Sequence, residues 1–464
     1  MHSPLVVLGG GPGGYAAAFL AADLGMEVTI VDDSPGLGGA CLQHGCIPSK
    51  ALLHVAKVVG EAQELQAWGV KLGEPKVNVD QLRTQKETLL KRLAGGLGQL
   101  AKGRKVTLVQ ARGTLQNNTT LSLSNGDTLT FDKLILATGS RPFIPGSLAC
   151  DSDRVMDSTA ALSLPDVPAK LLVVGGGYIG LEMATVYSAL GTDVTVVELT
   201  DGLLPGADRD LVRNLQRRLD KQLQAIHLGT QVDSLAASGE QVIAQCSKGG
   251  ESWSAEFDRI LVAVGRRPNS DGCGLENTQI TTTDAGFIAT DNNLRTAEEN
   301  IFAIGDVAGE PMLAHKASHE GRRVIEQLNG GNREAATVIP AVVFTDPEIA
   351  WCGLTETAAK ESGQAYEVAM FPWAASGRAQ SMGRPDGLTK WVIEPGSEKL
   401  LGCGIVGVGA GELIGEATVA VANGLTVADV AHTVHPHPTM SETLLASAEA
   451  FYGTATEIYK PRRR

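Results

Sequence analysis

A strand, glycine turn, helix, strand and acid occur in that order twice along the chain, offset by 166 positions, and this repeat restricts the fold more than any other feature. Leu5-Val6-Val7-Leu8-Gly9-Gly10-Gly11-Pro12-Gly13-Gly14 returns as Leu171-Leu172-Val173-Val174-Gly175-Gly176-Gly177-Tyr178-Ile179-Gly180. Each copy runs on through an apolar helical pattern ending in Leu-Gly, then through a β-branched strand ending in an acid, Asp32 or Glu198. From first glycine to acid is 23 residues in both. A lone Gly-x-Gly-x-x-Gly string arises by chance, but all five parts in register are a strong dinucleotide-binding signal. The chain is therefore expected to be α/β with two Rossmann-like dinucleotide-binding domains.

The glycines at 9, 11 and 14, and at 175, 177 and 180, permit a tight turn that brings backbone N–H groups and a helix N-terminus to a pyrophosphate. Asp32 and Glu198 then face the adenine-ribose hydroxyls. A carboxylate at 198 repels a 2′-phosphate, and Leu199-Thr200-Asp201 brings no arginine to receive one, so NAD is expected over NADP.

Just after the first unit stands Gly-Gly-Ala-Cys-Leu-Gln-His-Gly-Cys-Ile-Pro-Ser-Lys (38–50). In an unbroken helix the Cα atoms of Cys41 and Cys46 would be about 8–9 Å apart, beyond the roughly 7 Å a disulfide tolerates. The backbone must bend if they bond, and Gly45 and Pro48 supply the means. A short bridge in a distorted turn suits redox cycling. Two dinucleotides beside a dithiol imply a relay, and a flavin, which accepts electrons from thiols and exchanges hydride with nicotinamide, is the expected intermediary. Adjacency puts FAD at the first unit and NAD at the second. Gly305-Asp306, closing the apolar strand that begins at Asn300, offers a carboxylate for the ribityl hydroxyls. A base is also needed, because the thiolate is the attacking species. His437, with Glu442 five residues on to orient it, is the candidate, and His435 is its competitor.

Between the repeats, 57–102 reads as helices and 106–132 as antiparallel strands, and 228–258 repeats the strand pattern. Ile135-Leu136-Ala137-Thr138-Gly139-Ser140-Arg141-Pro142 and Ile260-Leu261-Val262-Ala263-Val264-Gly265-Arg266-Arg267-Pro268 return to the crevices in nearly the same words. From 339 the pattern is α+β without a phosphate loop: strands near 341–344, 388–393 and 401–408, helices near 411–423, 427–431 and 441–450. The expected division is 1–143 (FAD), 144–268 (NAD), 269–338 (completing the FAD site) and 339–464 (a C-terminal α+β dimerisation domain). A net charge of −13 opposes general nucleic-acid binding. Seven cysteines, only two of them closely spaced, oppose a secreted disulfide framework. No apolar run is long enough for a membrane span, and the N-terminus enters a strand without a basic region, so a cytoplasmic protein is expected. The basic tail 460–464 reads as a solvated end.

Four separated motifs carry a resemblance over the whole chain: residues 38–54, Gly-Gly-Gly-Tyr-Ile-Gly-Leu-Glu (175–182), Ala-Ile-Gly-Asp (303–306) and His-Pro-His-Pro-Thr-Met-Ser-Glu (435–442). Together with Pro-Met-Leu-Ala-His-Lys (311–316), they resemble the dihydrolipoamide dehydrogenases of the pyridine nucleotide-disulfide oxidoreductases. The resemblance implies oxidation of protein-bound dihydrolipoamide by NAD⁺ through FAD. It makes Cys46 the flavin-facing thiolate, Cys41 the thiol that exchanges with substrate, and His437–Glu442 an acid/base dyad reaching the partner subunit of a homodimer. Lys50 and Glu182 match an ion pair beside flavin and nicotinamide, and Thr138, Gly139, Gly265, Met312 and Ala314 fall in cofactor-lining segments. Expected partners are a lipoyl-bearing acyltransferase of a 2-oxo acid dehydrogenase complex and the glycine-cleavage lipoyl protein. No metal is expected. Gln43-His44 departs from the usual Asn-Val between the cysteines, and His44 reads as a tolerated loop residue or a cation near the thiols. The alternatives are a glutathione- or mercuric-reductase-like enzyme and a non-catalytic flavoprotein scaffold. Glu198 and the intact thiol and histidine motifs weigh against both.

Overall fold

A computed structural model of the chain describes residues 1–73 and 75–459; the basic tail lies outside the described residues. The first module is built on a seven-stranded sheet. Strands Thr107–Gln110, Val28–Asp32, His2–Leu8 and Thr128–Leu136 lie side by side and parallel, and Ile301–Ala303 pairs parallel to the last of them. Thr120–Leu123 and Gly113–Asn117 extend the sheet antiparallel. The expectation of antiparallel strands over 106–132 thus holds only from Gly113. Thr107–Gln110 follows a long helix, and a helical crossover returns a strand parallel.

Helix α1 (Pro12–Asp23) opens with proline in its first turn, where no N–H is needed. Its buried face is Gly13, Gly14, Ala16, Ala17, Ala18 and Ala21, small enough for the helix Ala314–Leu328 to come close. A Cβ on Gly321 of that second helix would stand 2.5 Å from the Gly13 carbonyl oxygen. The cysteine segment forms α2 (Gly39–His44) and α3 (Cys46–Glu64), broken at Gly45. Helix α4 (Val79–Gly103) is capped by Asn78, whose side chain accepts the Gln81 N–H at 3.0 Å.

The second module repeats the plan on five parallel strands, in the order Ala225–His227, Asp193–Val197, Lys170–Val174, Arg259–Val262 and Val155–Met156. Helix α5 (Ser158–Ser163) precedes its central strand, and α6 (Tyr178–Ala189) leaves the glycine turn. A separate antiparallel sheet, Gln231–Ser238, Gln241–Lys248 and Glu251–Phe257, accounts for the strand-rich pattern there. The two modules join through a two-stranded ribbon, Ser140–Pro142 against Arg266–Pro268.

The C-terminal part is a five-stranded antiparallel sheet in the order Ala341–Val343, Glu348–Gly353, Leu400–Gly407, Leu388–Ile393, Glu367–Pro372, packed with helices Ala410–Ala422, Val427–Ala431 and Glu442–Tyr452. Trp373 and Trp391, both fully buried, centre its core. Among the described residues no helix is long and apolar enough to cross a membrane.

Candidate functional site

The two glycine turns have the same internal geometry. Gly9 sits at φ +111 and a Cβ there would lie 2.3 Å from the Ala137 carbonyl oxygen; Gly175, at φ +113, faces Ala263 in the same way at 2.5 Å. A Cβ on Gly14 or Gly180 would meet the carbonyl oxygen of Gly9 or Gly175 at 1.9 and 2.1 Å. The middle glycines differ: Gly177 has no protein atom within 4 Å of its Cβ direction, and Gly11 has only the Gly39 Cα at 3.9 Å. Nothing inside the fold requires glycine at these two positions, so the space there suits an approaching phosphate. Asp32 accepts the Gly10 N–H at 2.5 Å and the Ser34 N–H at 2.7 Å. Glu198 likewise accepts Gly176 N–H at 2.6 Å and Thr200 N–H at 2.8 Å. Each acid is thus fixed against its own glycine turn at the crevice. The arginine closest in sequence to Glu198, Arg209, is committed to the carbonyls of Leu203, Leu204 and Ala207 and is not free to take a 2′-phosphate.

A cavity of about 450 Å³ gathers most of the first-module residues singled out from sequence. Gly9, Gly11, Asp32, Thr138 and Gly139 line one part, Cys41, Cys46, Lys50 and Glu182 another, and Gly305, Asp306, Met312 and Ala314 a third. Gly14 lies beneath, inside α1. Gly175, Gly177, Gly180, Gly265 and Glu198 do not line this cavity; they form the separate turn of the second module. An extended cavity with a glycine cradle and the carboxylates of Asp32 and Asp306 in its wall fits FAD. The second turn, with Glu198, fits NAD.

At the thiols, the helix breaks at Gly45, whose backbone (φ −143, ψ −105) is outside helical space, while Pro48 is accommodated in the first turn of α3. The sulfurs are unbonded here, and the Cys41 thiol is placed to favour a Cys46 thiolate. A hydrogen bond from Cys41 is the main influence lowering Cys46, to about 7; burial opposes it and Lys50 assists. The same bond, with burial, pushes the Cys41 thiol up. Cys46 therefore ionises first, with Cys41 as its donor. Lys50 Nζ lies 3.0 and 2.9 Å from the two Glu182 carboxylate oxygens and 4.4 Å from the centre of the Phe344 ring. The Phe344 N–H donates to Glu182 at 3.1 Å, so this pair is held between three parts of the chain.

Several lining residues carried no separate sequence signal. Asp306 accepts the Ser140 hydroxyl at 2.6 Å, and Arg266 donates to the Ser140 hydroxyl and carbonyl at 2.8 and 2.7 Å, which ties Asp306 to the second module's return strand. Tyr178 lines the cavity next to Glu182, and burial pushes its hydroxyl up to about 12. Its place inside the second glycine motif was the available signal; Phe344, far along the chain, had none.

The dyad is elsewhere. His437 Nδ1 is 2.8 Å from Glu442 Oε1, and Glu442 Oε2 accepts the Thr439 N–H at 2.7 Å. Burial raises the Glu442 carboxyl, but the Thr439 amide and His437 outweigh it, leaving it below the ordinary value. The His437 side chain is 82% exposed and lines no part of the thiol cavity, whereas His435 is 4% exposed with its ring nitrogens against Thr433 O and Glu416. Only His437 of the two is open to a reaction partner.

Fold and site define a flavin- and nicotinamide-dependent thiol oxidoreductase, and the chain belongs to the pyridine nucleotide-disulphide oxidoreductase family: residues 3–321 match that family and 339–448 its dimerisation domain. It is 43% identical to the dihydrolipoyl dehydrogenase of Vibrio cholerae, over 99% of this chain and 97% of that protein. It is 39% identical to the mitochondrial dihydrolipoyl dehydrogenase of Dictyostelium discoideum, over 97% and 94% of the two chains. Among solved structures, LpdA from Mycobacterium tuberculosis superposes with a TM-score of 0.89 at 28% identity, covering 97% of this chain and 99% of that one. The HOCl-induced flavoprotein disulfide reductase RclA from Escherichia coli, in its Cu(II) complex, gives 0.87 at 27% identity, covering 97% and 99%.

Proposed function

We propose that this chain oxidises protein-bound dihydrolipoamide to lipoamide and reduces NAD⁺ to NADH. The carrying observation is that Cys41 and Cys46, at a helix break, share one cavity with the first glycine cradle and with Lys50–Glu182. Substrate thiolate attacks Cys41 and releases Cys46, whose negative charge is stabilised by the Cys41 hydrogen bond and by Lys50. The second substrate thiol then frees Cys41 and closes the lipoyl disulfide. The first glycine turn, Asp32 and Asp306 would hold FAD, which would supply a two-electron carrier between the dithiol and nicotinamide. Glu182 holds Lys50 in place, and Asp306, fixed by Ser140, is available to the ribityl chain.

The proton taken from substrate goes to His437 Nε2, with Glu442 on Nδ1 fixing the tautomer. Because His437 is exposed and absent from its own chain's thiol cavity, each site takes the partner subunit's His437 in a homodimer. The same reading assigns cofactor roles to the lining residues and the domain division given above. It also gives the chain, as partner, the lipoyl-bearing acyltransferase of a 2-oxo acid dehydrogenase complex or a glycine-cleavage lipoyl protein, in the cytoplasm. The test is NADH formation by the purified flavoprotein from dihydrolipoamide and NAD⁺. Rapid turnover abolished by Cys46→Ser supports the reading; NADPH-driven reduction of another disulfide without dihydrolipoamide turnover would overturn it.

A further inference from the structure

We propose that His44 is a proton acceptor for Cys41, so that the exchanging thiol is served by a base in its own chain as well as by the dyad at the interface. The inference rests on the assignment of Cys41 and Cys46 as the redox pair. Of the nine histidines, His44 alone lines the thiol cavity. It shares α2 with Cys41 at a spacing of three residues. Residues three apart lie on one helix face with Cβ atoms about 5–6 Å apart, within reach of an imidazole. The ring is also uncommitted. His315, His319 and His435 hold Pro340, Glu334 and Glu416, but among the described residues nothing hydrogen-bonds to the His44 ring.

The charged groups around it are otherwise engaged. On α3, Lys50 is paired with Glu182 of α6, and on α4, Lys86 is spent on the Leu162 and Ser163 carbonyls, while Glu87, Lys91 and Arg92 are exposed. Helix α5 carries no charged residue. Farther along the cavity, Asp32 is held by backbone amides and Asp306 by Ser140, Arg141 pairs with Asp271, and Arg266 binds Ser140; Asp33 lies beyond Asp32. Tyr178 stays protonated at neutral pH. The Cys41 thiol is thus the proton donor that α2 places beside His44.

The need for such a base follows from the cycle. Closing the Cys41–Cys46 bond starts from the Cys41 thiol and the Cys46 thiolate and releases one proton and one electron pair. The pair leaves through the flavin to NAD⁺, and the proton goes from Cys41 Sγ to the His44 imidazole and then to solvent. Cys41 gives up that proton reluctantly, since its bond to Cys46 and its burial favour the thiol.

The experiment uses the FAD holoenzyme, reduced with one equivalent of dithiothreitol and alkylated with iodoacetamide at a series of pH values, with Cys41 modification read by mass spectrometry. In the wild type, transfer of the Cys41 proton to His44 supplies the small thiolate fraction that is alkylated near neutrality. His44→Gln and His44→Val, with unchanged FAD content, should alkylate about threefold more slowly at about pH 6.5, equivalent to half a pKa unit, and converge with wild type at high pH, where the thiolate forms unaided. Superimposable profiles, or a uniform decrease at every pH, would overturn the proposal. Neither dihydrolipoamide nor NAD⁺ enters the assay. Loss of substrate turnover with the selective pH effect intact would therefore count against the proposed substrate alone.

Discussion

At the scale of single residues, the site's behaviour is set by a few charged neighbours. Cys46 is held at about 7, below an ordinary thiol, so it is ionised above that pH and protonated below it. Lys50→Met removes one of the lowering influences and should raise the titration of the reduced enzyme by about one unit, followed by thiolate ultraviolet absorbance. A midpoint unchanged in Lys50→Met would mean that the Cys41 hydrogen bond suffices. At the other nucleotide, Glu198→Ala should raise the KM for NAD⁺ by about 10–100-fold, the worth of a hydrogen bond to a charged group, with a much smaller effect on NADP⁺. Steady-state kinetics with both nucleotides checks it. The local sequence singled out Cys41, Cys46, Glu198 and His437 because their spacing suggests their chemistry. It could not separate His437 from His435: that depends on Glu416, nineteen residues before His435, closing over one ring and leaving the other open.

At the scale of elements, the glycine turns separate folding from binding. Gly180→Ala drives a Cβ to 2.1 Å from the Gly175 carbonyl oxygen, so the turn must shift, whereas Gly177→Ala meets no protein atom. Gly180→Ala should lower the melting temperature, and Gly177→Ala should leave it near wild type while weakening NADH binding at least tenfold, measured by fluorescence titration. Equal losses of stability in both variants would contradict this division. Most elements were readable from period and punctuation; the strand at 388–393 and the helix at 427–431 fall where the pattern placed them. Helix α4's partner strand was misread as antiparallel because alternation reports burial of one face and says nothing of strand direction.

At the scale of the molecule, the modules are fixed to one another by contacts no local pattern announces. Lys390, wholly buried in the C-terminal sheet, places Nζ 2.9, 2.7 and 2.6 Å from Asp208, Asp210 and Glu356. Asp208 of the second module also accepts the Glu356 and Thr357 N–H groups at 3.0 Å each, capping a helix of the C-terminal domain. Burial raises the Asp208 carboxyl, but Lys390 and Thr357 outweigh it and hold it below its ordinary value. The stability it contributes is therefore present above the unfolded value near 3.9 and lost as pH falls through the lower folded value. Lys390→Ala strands these carboxylates and should cost about 3–5 kcal/mol in urea unfolding. Dimer assembly can be tested by mixing inactive Cys46→Ser and His437→Gln subunits. If each site takes its base from its partner, one of the heterodimer's two sites joins intact thiols to an intact base while the other carries both changes, so mixing restores activity; if each site used its own histidine, every site would carry one change and no activity would return.

The ribbon between the modules has a consequence of its own. Arg266 pairs with Pro142, Arg267 with Arg141 and Pro268 with Ser140, so the same segment of each repeat runs antiparallel against its counterpart. Antiparallel pairing of equivalent segments creates a local dyad through Arg141 and Arg267. The strands that feed the ribbon, Thr128–Leu136 and Arg259–Val262, each stop just short of it. Tyr178, Glu182 and Arg266 of the second repeat thereby line one cavity with Gly9 and Asp32 of the first. A cavity walled by both repeats is thus a product of symmetry within a single chain.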